Sequence, residues 1–212
     1  MTNPAIHQAG DRSLLIDVGD RSASTFADDL RHGQWASRLE AVVPTSSSVL
    51  VSARFARDLL DLEADVSALL EEDLLANQQD VQGRTVTIHV VYDGPDLAFV
   101  AQQCGLTVER VVQEHTGTQH QVGFFGFAPG FAYIDGLSPR LHLPRRESPR
   151  TDIPAGSVAI AANQSVVYPG STPGGWHLIG RTTTKLWDLR EEPPAKLSAG
   201  DKIIFKSVEG TP

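Results

Sequence analysis

Five arginines, Arg140, Arg145, Arg146, Arg150 and Arg181, stand out in a chain that is otherwise acidic. The 212 residues carry 18 Lys and Arg against 26 Asp and Glu, a formal charge of −8. Between residues 109 and 185 the balance reverses, and basic residues outnumber acidic ones. A guanidinium presents a planar fork that matches carboxylate and phosphate oxygens. The pattern fits a clamp for a carboxylate-bearing substrate or a nucleotide phosphate, with Arg150 and Arg181 leading and Arg145 next. The alternative is pairing of some of these arginines with Glu147 and Asp152.

His115 opens a His-Thr-Gly string. An imidazole with an ordinary pKa of about 6.5 can accept or donate a proton near neutrality. The competing role is a protonated histidine set against the end of a helix. His177, next to Trp176 in an apolar run, reads as a packing residue. No HExxH or paired ligand spacing occurs, so no protein-held transition metal is expected. Pro173-Gly174-Gly175-Trp176 is a turn running into a large aromatic, and its glycines let backbone approach a ligand closely. Trp176, Phe127, Pro129 and Phe131 could line a groove or anchor an interface. Gly156, Ser157, Gln164, Tyr168, Ser171 and Thr182 flank the glycine turns and complete the candidate substrate-binding or interface set. There is no GxxxxGK[ST] loop, so any ATP would be held without a Walker motif.

Two bodies must position these groups. The acidic excess lies in the first 90 residues, whereas most of the 18 glycines and 13 prolines follow. This predicts a small α/β domain over 1–82 and a β-rich domain over 83–212, joined through the polar stretch 77–84. In the first, strand, helix, hairpin, helix and strand follow in the order βαββαβ, the ferredoxin-like pattern. Its second helix is predicted over 57–75 from a 3.6-residue apolar period, and its last strand over 85–91, just past the boundary. The second domain is predicted to hold a helical hairpin near 96–115. That hairpin resembles a helix-turn-helix but lacks the positive charge that DNA phosphates demand. Short apolar runs broken by Gly and Pro then predict a small barrel or sandwich. The class is α+β.

Whole-chain properties exclude several functions. A net acidic chain with pI ≈ 5.3 is poorly suited to nucleic acid or an anionic membrane surface. One cysteine, Cys104, excludes a disulfide framework. No apolar run is long enough to span a bilayer, and the first residues carry no secretory pattern. The expected location is the cytoplasm.

Three strings then carry a resemblance: GFAPGFAYI at 126–134, PRRESPRTDIPAGSV at 144–158, and STPGGWHLIGRT at 171–182. With VYDGPDL at 91–97 and LSAGDKIIF at 197–205, they resemble the allophanate hydrolase subunit 1 or KipI-like family, which includes the 5-oxoprolinase B subunits. Ala128, Ala132 and the Ala162-Asn163 pair depart from the usual pattern. The resemblance implies a cyclophilin-like barrel after the small α/β domain. It also implies ATP-dependent opening of 5-oxoproline to glutamate, a small-molecule amide substrate. The chain would act with a larger 5-oxoprolinase partner of the C type and a further partner of the A type, and would share ATP and Mg with the larger one. On this reading His115, Arg150 and Arg181 are the candidate catalytic residues. Two other readings stay open: a KipI-like inhibitor of a sensor histidine kinase, and a carboxyltransferase component of a biotin-dependent urea carboxylase.

Overall fold

Alternating apolar residues build the first sheet. The computed structural model describes residues 3–72 and 83–210, and the chain divides into two units, 1–82 and 83–212. In the first unit, β1 is Ala5–Gln8, β2 Ser13–Asp17, α1 Ala23–His32, β3 Leu39–Pro44, β4 Ser48–Ala53 and α2 Leu59–Glu72. Leu14 and Ile16 of β2, with Val49, Val51 and Ala53 of β4, point to one face and have no exposed surface. Against that face pack Phe26, Ala27 and Leu30 of α1 and Leu59, Leu62, Val66 and Leu70 of α2. Ser22 starts α1, its hydroxyl accepting from the Thr25 N–H at 3.3 Å.

The four strands are antiparallel in the order β1-β2-β4-β3. A small α/β sheet is present as expected, but its fourth strand is not the one anticipated. In the βαββαβ reading residues 85–91 closed this sheet. Instead β1 takes that edge position beside β2, so the sheet is a permuted form of the pattern. The half-polar Ala5–Gln8 gives little strand signal, whereas 85–91 is strongly β-forming, and β propensity does not say which sheet a strand joins. The final residues expected in the second helix and most of the connector 77–84 lie outside the described residues.

In the second unit, β5 is Thr85–Val90, α3 Leu97–Cys104, α4 Val108–Thr116, β6 His120–Phe125 and β7 Ala132–Asp135. There follow β8 Arg150–Ile153, β9 Ser157–Ala161, β10 Gln164–Val167, β11 Thr172–Gly174, β12 His177–Arg181 and β13 Lys202–Ser207. Seven strands form one sheet, β12-β9-β10-β7-β6-β13-β5, and β5 runs parallel to β13. Val91 bridges to Arg181 with both backbone bonds at 2.9 Å, bringing the edges together as a nearly closed barrel. Two glycines permit this closure. A side chain begun at Gly180 would meet the Val91 carbonyl at 2.5 Å, and one at Gly94 would meet the Leu178 carbonyl at 2.3 Å.

Ile88, Val90, Val122, Ile134, Val158, Ile160, Ile179 and Phe205 fill the barrel, with α3 and α4 adding Leu97, Val100 and Val111. Gly105, at φ 64°, ends α3 in the left-handed conformation, and the Thr107 hydroxyl caps α4. The strand β9 is buried on both faces. Val158 and Ile160 point inward, while Ala159 and Ala161 join a second apolar cluster on the outer wall. That cluster lies among the predicted site residues.

Candidate functional site

The outer cluster consists of Phe131, Ile153, Ala159, Ala161, Val166, Tyr168, Trp176 and Leu178, with Tyr133 packed against it. The ribbon formed by β8 and β11 pairs Thr172 with Ile153 and Gly174 with Arg150. It thereby brings the PRRESPR string beside the PGGW string. Tyr133 lies 5.9 Å from Trp176, and Phe131 lies 5.2 Å from both Tyr133 and Tyr168, measured between ring centres. Phe124 stacks on Tyr133 at 4.3 Å. The result is an aromatic wall built from strands and the loops between them.

Asp96 organises the arginines beside this wall. Its side chain is only 6% exposed. Arg150 donates to its two oxygens, 2.8 Å each, and Arg146 donates to Oδ1 at 2.9 Å. The Leu178 N–H donates to Oδ2 at 2.8 Å. Burial opposes the charge on Asp96, but the Arg150 bond, the Leu178 N–H and the charges of Arg150 and Arg146 together hold its carboxyl below the usual range. Arg150 is in turn held more firmly protonated by Asp96. Arg145 has no carboxylate partner among the described residues, and its guanidinium lies 5.5 Å from the centre of the Trp176 ring. Burial pushes the Tyr168 phenol up to about 12, although Arg145 and Arg150 pull the other way, so Tyr168 stays a neutral donor.

The other predicted residues fall elsewhere. Arg181 pairs with Asp93 at 2.8 Å on an exposed surface. Arg140 pairs with Glu114 at 3.2 Å. The arginines thus take Asp96, Asp93 and Glu114, not Glu147 and Asp152. Ser171 donates to Asp152 across the ribbon. Gln164 donates to Asp135 at 2.7 Å, and burial raises the Asp135 carboxyl above its usual range. Gly156 is needed at φ 81° and accepts from the Thr182 N–H at 2.8 Å, while Ser157 accepts from the Tyr168 N–H at 2.9 Å. These set the turn between β8 and β9. Phe127 is 64% exposed, has φ 68°, and borders with Pro129 an apolar groove of about 500 Å³ that ends at Trp187 and Leu197.

His115 has no exposed surface. Its Nδ1 is 2.7 Å from the Tyr92 hydroxyl and its Nε2 3.0 Å from the Ser165 hydroxyl. Burial, with a further push from His120, holds its pKa well below the usual value, so the ring is neutral. It is neither an exposed base nor a charged helix terminus. It is a buried link through the barrel core, with Phe205 at 4.4 Å. His115, Arg150 and Arg181 therefore have three separate sets of partners, and the structure does not gather them at one centre.

Asp96 and Tyr92 escaped the sequence reading. The signal was the VYDGPDL string, whose Asp93 and Asp96 lie three apart and meet Arg181 and Arg150. Nothing local to that string shows that Asp96 is buried.

A small α/β unit followed by a nearly closed barrel is the architecture of a carboxyltransferase-type module. The chain belongs to the carboxyltransferase domain, subdomain C and D family, whose model matches residues 4–197. It is 47% identical over 127 residues to the 5-oxoprolinase B subunit of Escherichia coli O157:H7, covering 58% of this chain and 58% of that protein. It is 46% identical over 147 residues to the 5-oxoprolinase B subunit of Bacillus subtilis strain 168, covering 68% of this chain and 60% of that protein. The matches thus span about three fifths of those relatives' length. A crystal structure of the protein TTHA0988 matches with TM-score 0.77 and 32% identity, over 95% of this chain and 41% of that one.

Proposed function

We propose that this chain is one component of an ATP-dependent 5-oxoprolinase, which opens 5-oxo-L-proline to L-glutamate together with a larger protein of the C type and a further protein of the A type. The observation that carries the reading is the 46–47% identity to proteins named as 5-oxoprolinase B subunits. The outer wall supports it chemically. A small cyclic amide with a carboxylate needs an apolar seat for its ring and a cation for its charge. Arg145 supplies a cation beside the Trp176 ring, and the partly buried Tyr133 lies next to it. Asp96 holds Arg146 and Arg150 in ion pairs, which leaves Arg145 as the arginine of this string without a carboxylate partner among the described residues.

Among the described residues no cluster of three or more His, Cys, Asp or Glu is placed to hold a metal ion. Arg150 and Arg146 are also committed to Asp96. In the proposed assembly ATP and Mg are shared with the larger partner. The chain is expected to be inactive alone. No helix among the described residues is long and apolar enough to cross a membrane, and the proposed location is the cytoplasm.

The test is co-expression with genomic neighbours of the C and A types, followed by measurement of 5-oxoproline-dependent ADP release. An assembly that forms, is folded and releases no ADP above background sinks the proposal. One observation favours a second reading, KipI-like binding of a sensor kinase helix: the exposed Phe127 beside the apolar groove. Association of the chain with such a kinase, without partners of the C type, would favour it.

A further inference from the structure

The outer face of β5 and β13 carries cations with nothing to balance them. In register, Thr85 lies beside Lys202, Thr87 beside Ile204 and His89 beside Lys206 across the parallel pair. Val86, Ile88, Ile203 and Phe205 alternate with these and pack into the barrel. Neither strand contains an aspartate or a glutamate. The adjoining Asp201 is taken by Arg84 at 3.0 Å, and no carboxylate pairs with Lys202 or Lys206 among the described residues. Between the two lysines Ile204 is 41% exposed. Parallel strands mostly occur where both faces of the sheet are covered. An open apolar residue between unpaired cations, on a chain of formal charge −8, therefore calls for an acidic cover.

The spacing says what fits. Four residues of strand separate Lys202 from Lys206, a distance of about 13 Å. A covering helix laid along the strands needs acids at about that spacing and small residues between them to admit Ile204. The chain contains such a helix. Along α2, Asp61, Ala64, Ala68 and Glu71 follow at steps of three and four residues, so they share one stripe. All four are exposed, and they lie opposite Leu59, Leu62, Val66 and Leu70, which pack in the core of the first unit. Ten residues of helix separate Asp61 from Glu71, about 15 Å. Asp61 makes only a 3.8 Å contact with Arg38 and keeps a side-chain exposure of 69%, and Glu71 has no cation partner among the described residues. The helix also carries Glu63 and Asp65 and no basic residue.

We propose that two copies of this chain associate by laying α2 of one along the β5–β13 face of the other. Asp61 and Glu71 pair with Lys202 and Lys206, and Ile204 packs between Ala64 and Ala68. Two-fold pairing forms the contact twice. One such contact is small beside the roughly 1,200–2,000 Å² of a stable interface. The dimer is accordingly weak and salt-sensitive, and it dissociates at low micromolar concentration. The inference is independent of the proposed catalytic role.

Sedimentation velocity of the full chain over a micromolar concentration series tests it. The wild-type protein should pass from monomer to dimer as concentration rises. Raising the ionic strength from about 0.05 M to about 0.5 M should weaken the association at least threefold. Lys202→Glu with Lys206→Glu, and separately Asp61→Lys with Glu71→Lys, should each weaken self-association at least tenfold without changing the circular dichroism spectrum. Mixed in equal amounts, the two reversed proteins should associate again, because each contact then joins opposite charges. That rescue separates a broken contact from a misfolded chain. A wild-type chain that stays monomeric throughout overturns the proposal. So does a dimer indifferent to both reversals, or a pair of folded reversed proteins that fail to associate when mixed. Loss of a C-type partner in the lysine-reversed chain, with no wild-type dimer, also overturns it and assigns the face to that partner.

Discussion

Replacing Asp96 by Asn keeps the shape of the side chain and removes its charge. The carboxylate accepts four bonds: two from Arg150, one from Arg146 and one from the Leu178 N–H. Removing one member of a buried ion pair costs roughly 3–5 kcal/mol, mostly by stranding the partner charges. The side chains of Arg150 and Arg146 are 25% and 31% exposed, so water recovers part of that loss. The expected destabilisation is at the low end, about 3 kcal/mol. For a unit of this size each kcal/mol moves the melting temperature by roughly 3–5 °C, so the midpoint should fall by roughly 10–15 °C. The pH dependence has a definite sign. The folded carboxyl titrates below its unfolded value of about 3.9, so its stabilisation is fully present above about pH 5. It is lost as pH falls through the folded pKa. Thermal unfolding of both proteins, followed by circular dichroism from pH 7 downward, measures the gap. A double replacement, Asp96→Asn with Arg150→Met, should cost less than the two single changes together. A gap under about 1 kcal/mol at pH 7, or one that widens on acidification, refutes the electrostatic account.

His115→Gln should destabilise the chain by about 1–3 kcal/mol, because the Tyr92 or Ser165 hydroxyl loses a well-placed partner in the core. The folded pKa of His115 is depressed, so wild-type stability should fall as pH drops below about 6.5, and the variant should lose part of that slope in the same unfolding series. Gly180→Ala drives a methyl to 2.5 Å from the Val91 carbonyl and 2.9 Å from Val90 Cγ1. It should cost at least about 1–3 kcal/mol in chemical denaturation and speed hydrogen exchange at the Val91 and Arg181 amides, where the barrel closes.

Legibility in the sequence followed the range of the interactions. The amphipathic α2, the helical hairpin α3–α4 and the apolar runs of the barrel obey local periodicities, and each was readable. Gly105 and Thr107 even mark where that hairpin turns. The edge strand β1 was not readable, because two of its four residues are His7 and Gln8, which carry no apolar alternation. Residues 85–90 read as a strand but not as a member of the barrel, since their partner Lys202–Ser207 is distant in sequence. The same limit applied to the site. Arg145, Tyr168, Gly174 and Trp176 stood out by type and setting, and the structure places them near one another around the β8–β11 ribbon. Asp96 did not stand out, because its importance comes from arginines some fifty residues away that fold onto it. His115 was identifiable as special, but whether it faces solvent or Phe205 is decided by tertiary packing alone.

The parallel pairing of β5 with β13 also has a consequence in time. Thr85–Val90 emerges from the ribosome before the other strands of the barrel, yet its neighbour in the sheet order is Lys202–Ser207. Contacts between sequence-distant strands pay a large loop-closure entropy and form slowly. Until β13 has been made, β5 presents an unpaired edge with Ile88 and Val90 uncovered, and β6 lacks one neighbour. The small sheet over β1 to β4 has no such dependence, since its strands all lie within the first unit. During synthesis the chain therefore passes through a stage in which a folded small unit precedes an unfinished barrel with a sticky edge. That is the state in which a chaperone or a waiting partner protein would find it.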